Sequence, residues 1–231
     1  MHGSGPGGAY DHDTSVDAAT AVARFDAGAM MDLRDLQRGF AGVRAMLAHL
    51  VDELGLTALA RASYCHAFVS PAGTGVAKHF DNREVIVVQV AGRKRWRLAA
   101  NTALPAPLMA HVVGGPTHPY NLRAGAAGLD DPAMPADAET LVLEPGAALF
   151  VPRGAWHETH ALDDSVSLSF GFRIPSWAEV FVDHARRALA ADPAWTAPAF
   201  DVTADPPAGT EAFVRAMGAA LARLRAAPPG A

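Results

Sequence analysis

The chain has a single cysteine, Cys65, in 231 residues, fewer basic side chains (Lys and Arg 19) than acidic ones (Asp and Glu 24), and no apolar run approaching a membrane span. Each shortage removes a class of protein. A lone thiol cannot build an intramolecular disulfide framework, so the fold has to hold by packing, as in a reducing compartment. Cys65 itself reads as a small buried apolar group on a strand. A formal net charge of −5 gives no general attraction to nucleic acid. The first residues are glycine-rich and acidic, without the cationic start and apolar stretch of a secretory signal. The roughly 18 consecutive apolar residues that a spanning helix needs are missing. The expectation is a cytoplasmic protein with neither membrane nor nucleic acid as partner.

What is present is a globular composition, 50% hydrophobic and 19% charged, on a length that suits one core. Residues 1–15 have too few apolar groups to offset the entropy of ordering and are expected to form a disordered tail. Leu36, Phe40, Val43, Leu47, Leu50 and Leu54 recur at intervals of four and three, which predicts one amphipathic helix from an Asp35 N-cap to a Gly55 stop. Thr57–Ser70 reads as a strand ending in the loop Pro71–Gly75. The stretch 76–98 reads as two strands joined by a tight turn at Ala91-Gly92. Further strands are expected at Thr140–Glu144 and Ala147–Val151 around a Pro-Gly turn, and at Ser165–Arg173, where serines and a glycine alternate with apolar residues. Trp177–Ala191 and Thr210–Arg225 read as two helices. The Pro-, Gly- and Ala-rich stretch 99–138 is either a substrate lid or a loose insertion.

The chemistry starts at His79 and Asp81. Residues at i and i+2 of a strand point to one face, so this imidazole and carboxylate can bind a single ion. His157, on a later strand, is the expected third ligand; His160, three residues on, would face the opposite side. Two His and one carboxylate leave open positions on the ion, as in non-haem Fe(II) oxygenases, unlike a closed structural zinc site. Lys94, Trp96 and Leu98 share one strand face and Arg93, Arg95 and Arg97 the other. If the Trp face is interior, Lys94 is a buried cation in need of an anion, and a dianionic co-substrate would supply it. The alternative is a solvated lysine in a basic stripe. Ser167 and Ser169 line either a co-substrate pocket or a solvent-facing strand side. Trp156 faces substrate or core, and His118, Tyr120 and Arg123 are candidate substrate contacts.

The stretches HFDNREVIVVQVAGRKRWRL (79–98), SPAGTG (70–75), EPG (144–146), VPRGAWHE (151–158) and DSVSLSF (164–170) together resemble the JmjC/cupin-fold 2-oxoglutarate oxygenases, nearest to the ribosomal-protein hydroxylases. The resemblance covers about residues 25–175. It implies a mainly β (α+β) architecture, a double-stranded β-helix (jelly-roll/cupin) barrel with flanking N-terminal and C-terminal helices, over residues 16–175, with a C-terminal helical extension at 176–231. It further implies Fe(II), 2-oxoglutarate and O2, iron ligands at His79, Asp81 and His157, and Lys94 as the basic residue that holds the co-substrate. Where the ribosomal branch carries a co-substrate Tyr twelve positions before the ligand His, this sequence has Ala67, and Tyr64 is the candidate substitute. Only residues 176–231 follow the barrel, where that branch carries a dimerisation region and a winged helix. The expected substrate is therefore a side chain of a peptide or protein, for instance a natural-product precursor peptide, with a small-molecule hydroxylase as second reading. A homodimer through the C-terminal helices is the expected assembly. The rival from another class is a non-oxygenase cupin, a metal-binding protein or isomerase.

Overall fold

Alternation of inward and outward side chains governs most of the chain beyond Ser63, and it builds two five-stranded antiparallel sheets. The computed structural model describes residues 3–4, 10–11, 16–57, 63–123, 129–190 and 193–196 together with Gly218 and Ala222. In chain order the strands are β1 (Gly3–Ser4), β2 (Tyr10–Asp11), β3 (Met31–Leu33), β4 (Ser63–Ser70), β5 (His79–Phe80), β6 (Glu84–Ala91), β7 (Lys94–Ala99), β8 (His111–Val112), β9 (Glu139–Leu143), β10 (Ala148–Val151), β11 (Trp156–Ala161) and β12 (Ser165–Phe172). One sheet has the order β10-β6-β12-β4-β3 and the other β8-β5-β11-β7-β9. Val85 and Val87 of the first pack on Trp96 and Leu143 of the second, with Val151 closing the cluster. This is the expected double-stranded β-helix. Of the tail expected at 1–15, the pairing of β1 with β2 is described and the remainder lies outside the described residues.

The stretch 76–98 departs from the expected strand pair. β6 and β7 do not pair with each other: they lie in opposite sheets, so Ala91-Gly92 is a corner between layers. Gly92 has φ +62, and a Cβ there would sit 2.1 Å from the Asp164 carbonyl oxygen. Only glycine fits that corner.

The expected single helix is two. α1 (Ala18–Asp26), which the periodicity did not announce, comes first, capped by Asp17, whose side chain accepts the Thr20 N–H. α2 (Leu36–Gly39) and α3 (Ala41–Glu53) then follow, separated by an extended Phe40. Asp35 does not act as the N-cap. It is left-handed at φ 57 with no capping bond, and its Oδ1 instead accepts from the Gln37 amide, whose own oxygen accepts the Cys65 N–H at 2.9 Å. That bond ties α2 to β4. Leu47 and Val51 of α3 bury against Cys65, Phe170 and Phe172 on the outer face of the first sheet, whereas Phe40 and Leu54 of the predicted stripe are exposed. Burial pushes the Cys65 thiol up to about 11, so it is a packing group.

The described residues of 99–138 are packed, not a loose insertion. β8 pairs with β5, and Leu104, Leu129 and Met134 form a core with Phe80 and Trp156. Beyond Ile174 lies a second compact unit. Its α5 (Trp177–Leu189) starts with a capping box between Ser176 and Glu179, and a short α6 (Pro193–Thr196) follows. The helix expected at 210–225 lies outside the described residues, apart from Gly218 and Ala222, both helical. No helix among the described residues is long and apolar enough to cross a membrane.

Candidate metal and co-substrate site

Pairing of β5 with β11 sets His79 directly opposite His157, with ring centroids 4.0 Å apart. Asp81 lies just past β5, where its carbonyl accepts the Gly154 N–H at 2.9 Å. Gly154, at φ +82, admits Pro107 where a Cβ would clash. One ligand atom from each of His79, Asp81 and His157 lies within 4.8 Å of the others.

The imidazoles are held in the form a metal needs. Nδ1 of His79 bonds the Ala77 carbonyl at 2.7 Å and Nδ1 of His157 the Ala155 carbonyl at 2.9 Å. A carbonyl only accepts, so each Nδ1 carries the proton and each Nε2 keeps its lone pair. Burial, with the His79 charge next, pushes His157 down to about 4 and keeps it neutral. Two neutral imidazole nitrogens and a carboxylate fit a divalent transition metal with open positions. His160 pairs with Arg95 on the outside of the barrel and is not among the cavity residues.

A cavity of about 340 Å³ opens over this triad, lined from both sheets. Lys94 faces into it and is 3% exposed. Its Nζ donates to Ser70 Oγ at 3.0 Å and Ser167 Oγ at 3.4 Å, and burial pushes it down to about 8. Arg93 and Arg97 pair with Asp163 and Glu158 at the surface, so the split between the strand's faces is as expected. A lysine ammonium has three donors, and the two used here meet neutral hydroxyls. Among the described residues this buried ammonium has no carboxylate partner, a counter-charge that a bound carboxylate would supply.

Ser167, Ser169 and Tyr64 also line the cavity. Ala67 does not; it is buried on the side of β4 that packs toward α3. Trp156 is corrected: alternation along β11 turns it away from His157, and it is buried against Phe80 with the Lys78 ammonium 4.4 Å over its ring. His118 and Tyr120 are not cavity residues. They meet each other, with His118 Nδ1 accepting the Tyr120 N–H and Tyr120 56% exposed. Arg123 ends α4 (Pro119–Arg123), and its side chain lies outside the described residues.

Sequence reasoning missed Asp32, His66, Ser70 and Arg83. All but Ser70 line the cavity, and Ser70 holds Lys94. His66 and Ser70 were signalled by period-two spacing from Tyr64. Arg83 donates to the Tyr64 hydroxyl at 2.7 Å, and its guanidinium lies 5.4 Å from that ring's centre.

A double-stranded β-helix carrying two histidines and one carboxylate around an open cavity is the class that fold and site define. Residues 48–180, more than half of the chain, match the JmjC domain, and the chain belongs to that family. It is 28% identical over 178 residues to the uncharacterized protein YxbC of Bacillus subtilis, covering 77% of this chain and 54% of that protein. It is 33% identical over 111 residues to the ribosomal protein uL16 3-hydroxylase of Escherichia coli, covering 48% of this chain and 26% of that one. The chain thus spans about half of the first relative and a quarter of the second. Among solved structures, E. coli ycfD matches with a TM-score of 0.54 at 20% identity, over 97% of this chain and 53% of that chain. The complex of YcfD, described as a ribosomal oxygenase, with cobalt and 2-oxoglutarate matches at 0.50 and 21% identity, over 97% and 51%. At these identities the likeness is one of fold.

Proposed function

We propose that the chain is an Fe(II)- and 2-oxoglutarate-dependent hydroxylase acting on a side chain of a peptide or protein. The observation that carries the reading is the convergence of His79, Asp81 and His157 in a cavity that also holds the buried cation Lys94. Similarity to a ribosomal protein hydroxylase and the bound 2-oxoglutarate of YcfD support it. Fe(II) with 2-oxoglutarate and O2 supplies the oxidising chemistry, in which the keto acid loses CO2 to become succinate and one oxygen atom enters a substrate C–H bond.

The chain's share is placement. His79 and His157 offer Nε2 lone pairs because their Nδ1 protons are engaged by backbone carbonyls. Lys94, steadied by Ser70 and Ser167, takes the far carboxylate of the diacid through a charge-assisted bond of about 1.5–3 kcal/mol. A natural-product precursor peptide as substrate, a cytoplasmic location and self-association through the apolar stripe Trp177, Val180 and Phe181 of α5 belong to the same proposal. Oxygen-dependent succinate formation that requires Fe(II) and vanishes in His79→Ala tests it. Failure of 2-oxoglutarate to bind anaerobically with Fe(II) supplied would favour a non-oxygenase cupin instead.

A further inference from the structure

Three cations line the cavity, and two of them, Lys94 and Arg83, have no carboxylate partner among the described residues, whereas Arg34 is paired with Asp32. On β4 the cavity-lining residues run from Tyr64 to His66 and Phe68, and Ser70 follows on the same face. Lys94 is anchored to Ser70 and Arg83 to the Tyr64 hydroxyl. Six residues of strand separate those anchors by roughly 20 Å along the backbone. Separate anchors, the Tyr64 hydroxyl for Arg83 and the Ser70 and Ser167 hydroxyls for Lys94, give Arg83 a subsite of its own.

Its surroundings say what that subsite takes. Arg83 sits on the bend that carries the chain from β5, in one sheet, to β6, in the other, two residues beyond Asp81. Its guanidinium donates to neutral oxygens, the Tyr64 hydroxyl and the Asn82 amide at 3.3 Å, while its buried Nε has no partner. No carboxylate pairs with it among the described residues. The nearby acids are committed elsewhere: Asp32 Oδ2 accepts from Arg34 at 2.9 Å, Asp32 Oδ1 lies 3.4 Å from His66 Nδ1, and Asp81 is in the metal triad. A guanidinium with donors to spare and no counter-ion matches the fork of a carboxylate. With Asp32 and Asp81 lining the same cavity, a monoanion suits the site better than a dianionic phosphate.

We propose that Arg83, seated on the Tyr64 ring, is a specificity residue that selects a carboxylate on the primary substrate, distinct from the diacid held by Lys94. The inference rests on the hydroxylase reading above and names its substrate class as carboxylate-bearing. The carboxylate comes either from an acidic residue of a peptide or from a free small molecule.

The test uses the full chain loaded anaerobically with Co(II) and 2-oxoglutarate. Calorimetry measures binding of paired hexapeptides that differ only in a central Glu or Gln, and of propionate as the free carboxylate. The Glu peptide is expected to bind wild type roughly tenfold or more tighter than the Gln peptide, the scale of one charge-assisted contact. Arg83→Gln should erase the difference and Arg83→Lys restore part of it. Both variants should bind 2-oxoglutarate within about twofold of wild type, whereas Lys94→Ala should not. Propionate with the same Arg83 dependence, and no advantage for the Glu peptide over it, would also support the subsite and assign it to small carboxylates. Equal binding of Glu and Gln peptides together with no Arg83-dependent propionate binding overturns the proposal. So does loss of 2-oxoglutarate affinity in Arg83→Gln and Arg83→Lys, because Arg83 would then serve the co-substrate. If wild type ignores 2-oxoglutarate but keeps the Arg83-dependent preference, the hydroxylase reading fails and the carboxylate subsite stands.

Discussion

His79 and His157 face each other across the single residue pair that joins β5 to β11, and each ring is fixed by the carbonyl two residues before it. Both Nε2 atoms are thus presented bare toward the Asp81 carboxylate, the His157 nitrogen 3.9 Å from it.

This arrangement predicts a preformed metal site. Co(II) titration should give one ion per chain, and His157→Ala or Asp81→Ala should weaken it by about 100-fold or more, beyond the 10–100-fold typical of losing a supporting group. The buried His157 also makes the metal-free protein acid-sensitive. Its folded value lies near 4, below the usual 6.5, so the unfolded chain binds the extra proton first. Stability should therefore fall as pH drops from about 6.5 toward 4, and metal should steepen that fall, since proton and metal compete for the same nitrogen. Urea unfolding at a series of pH values, with and without Co(II), measures both.

Lys94 is the opposite case, a buried charge that lowers the stability of the free protein. Its ammonium is pushed from 10.5 to about 8 by burial. The unfolded state therefore binds more protons between pH 8 and 10.5, and the stability of the free protein should rise with pH across that window. On the proposed reading bound 2-oxoglutarate should pair with the ammonium and flatten the rise, while its affinity should decline above pH 8 as Lys94 loses its proton. Lys94→Met removes the buried charge. It should stabilise the free protein by about 1–3 kcal/mol and abolish co-substrate binding, as read by denaturant unfolding and calorimetry. A destabilised Lys94→Met with intact binding would contradict both halves.

The parts of this site that local spacing encodes were legible, and the parts that depend on sheet membership were not. Strand parity alone separates Lys94 from Arg93 and Arg95, and the same parity separates His157 from His160. Nothing local distinguishes a hairpin from a corner at Gly92, because what decides it is the distant Asp164 backbone beneath the turn. The helix break at Phe40 was equally invisible. The apolar rhythm continues through it, and the bond that pins α2, from Cys65 to Gln37, spans 28 positions. Tyr64 was found through family resemblance, yet its neighbours His66 and Ser70 were not, although they share its face. Their strand reads as an Ala-rich apolar run in which the small residues mask the alternation.

The Gly92 corner separates two effects that glycine substitutions usually mix. Gly146 has φ +91 with nothing near its missing Cβ, so Gly146→Ala should cost about 1–2 kcal/mol, the strain of a left-handed alanine. Gly92 adds to that strain the close approach of the Asp164 carbonyl. Gly92→Ala should cost several kcal/mol, of the order of 4 or more, and disturb the neighbouring Lys94. Thermal unfolding of the two variants side by side checks the ranking; equal costs would mean that the corner relaxes freely.

Gly171 and Tyr64 are register partners on β12 and β4, and a Cβ at 171 would lie 2.2 Å from the tyrosine ring. The glycine is what lets that ring cross the strand and meet Arg83. Gly171→Ala should overpack the pair at a cost of about 1–3 kcal/mol and break the bond to Arg83, leaving the metal triad in place. The tyrosine reports on this directly. Burial raises its ionisation above the usual 10 while the Arg83 charge opposes the rise, and the chain has only 3 tyrosines to resolve. In a spectrophotometric titration the step that Tyr64→Phe removes should lie above 10 and should shift higher still in Arg83→Gln, which removes the opposing charge. In Gly171→Ala it should shift as well, with Co(II) binding unchanged. An unmoved Tyr64 in Arg83→Gln would mean that the guanidinium is not held on the phenol in solution.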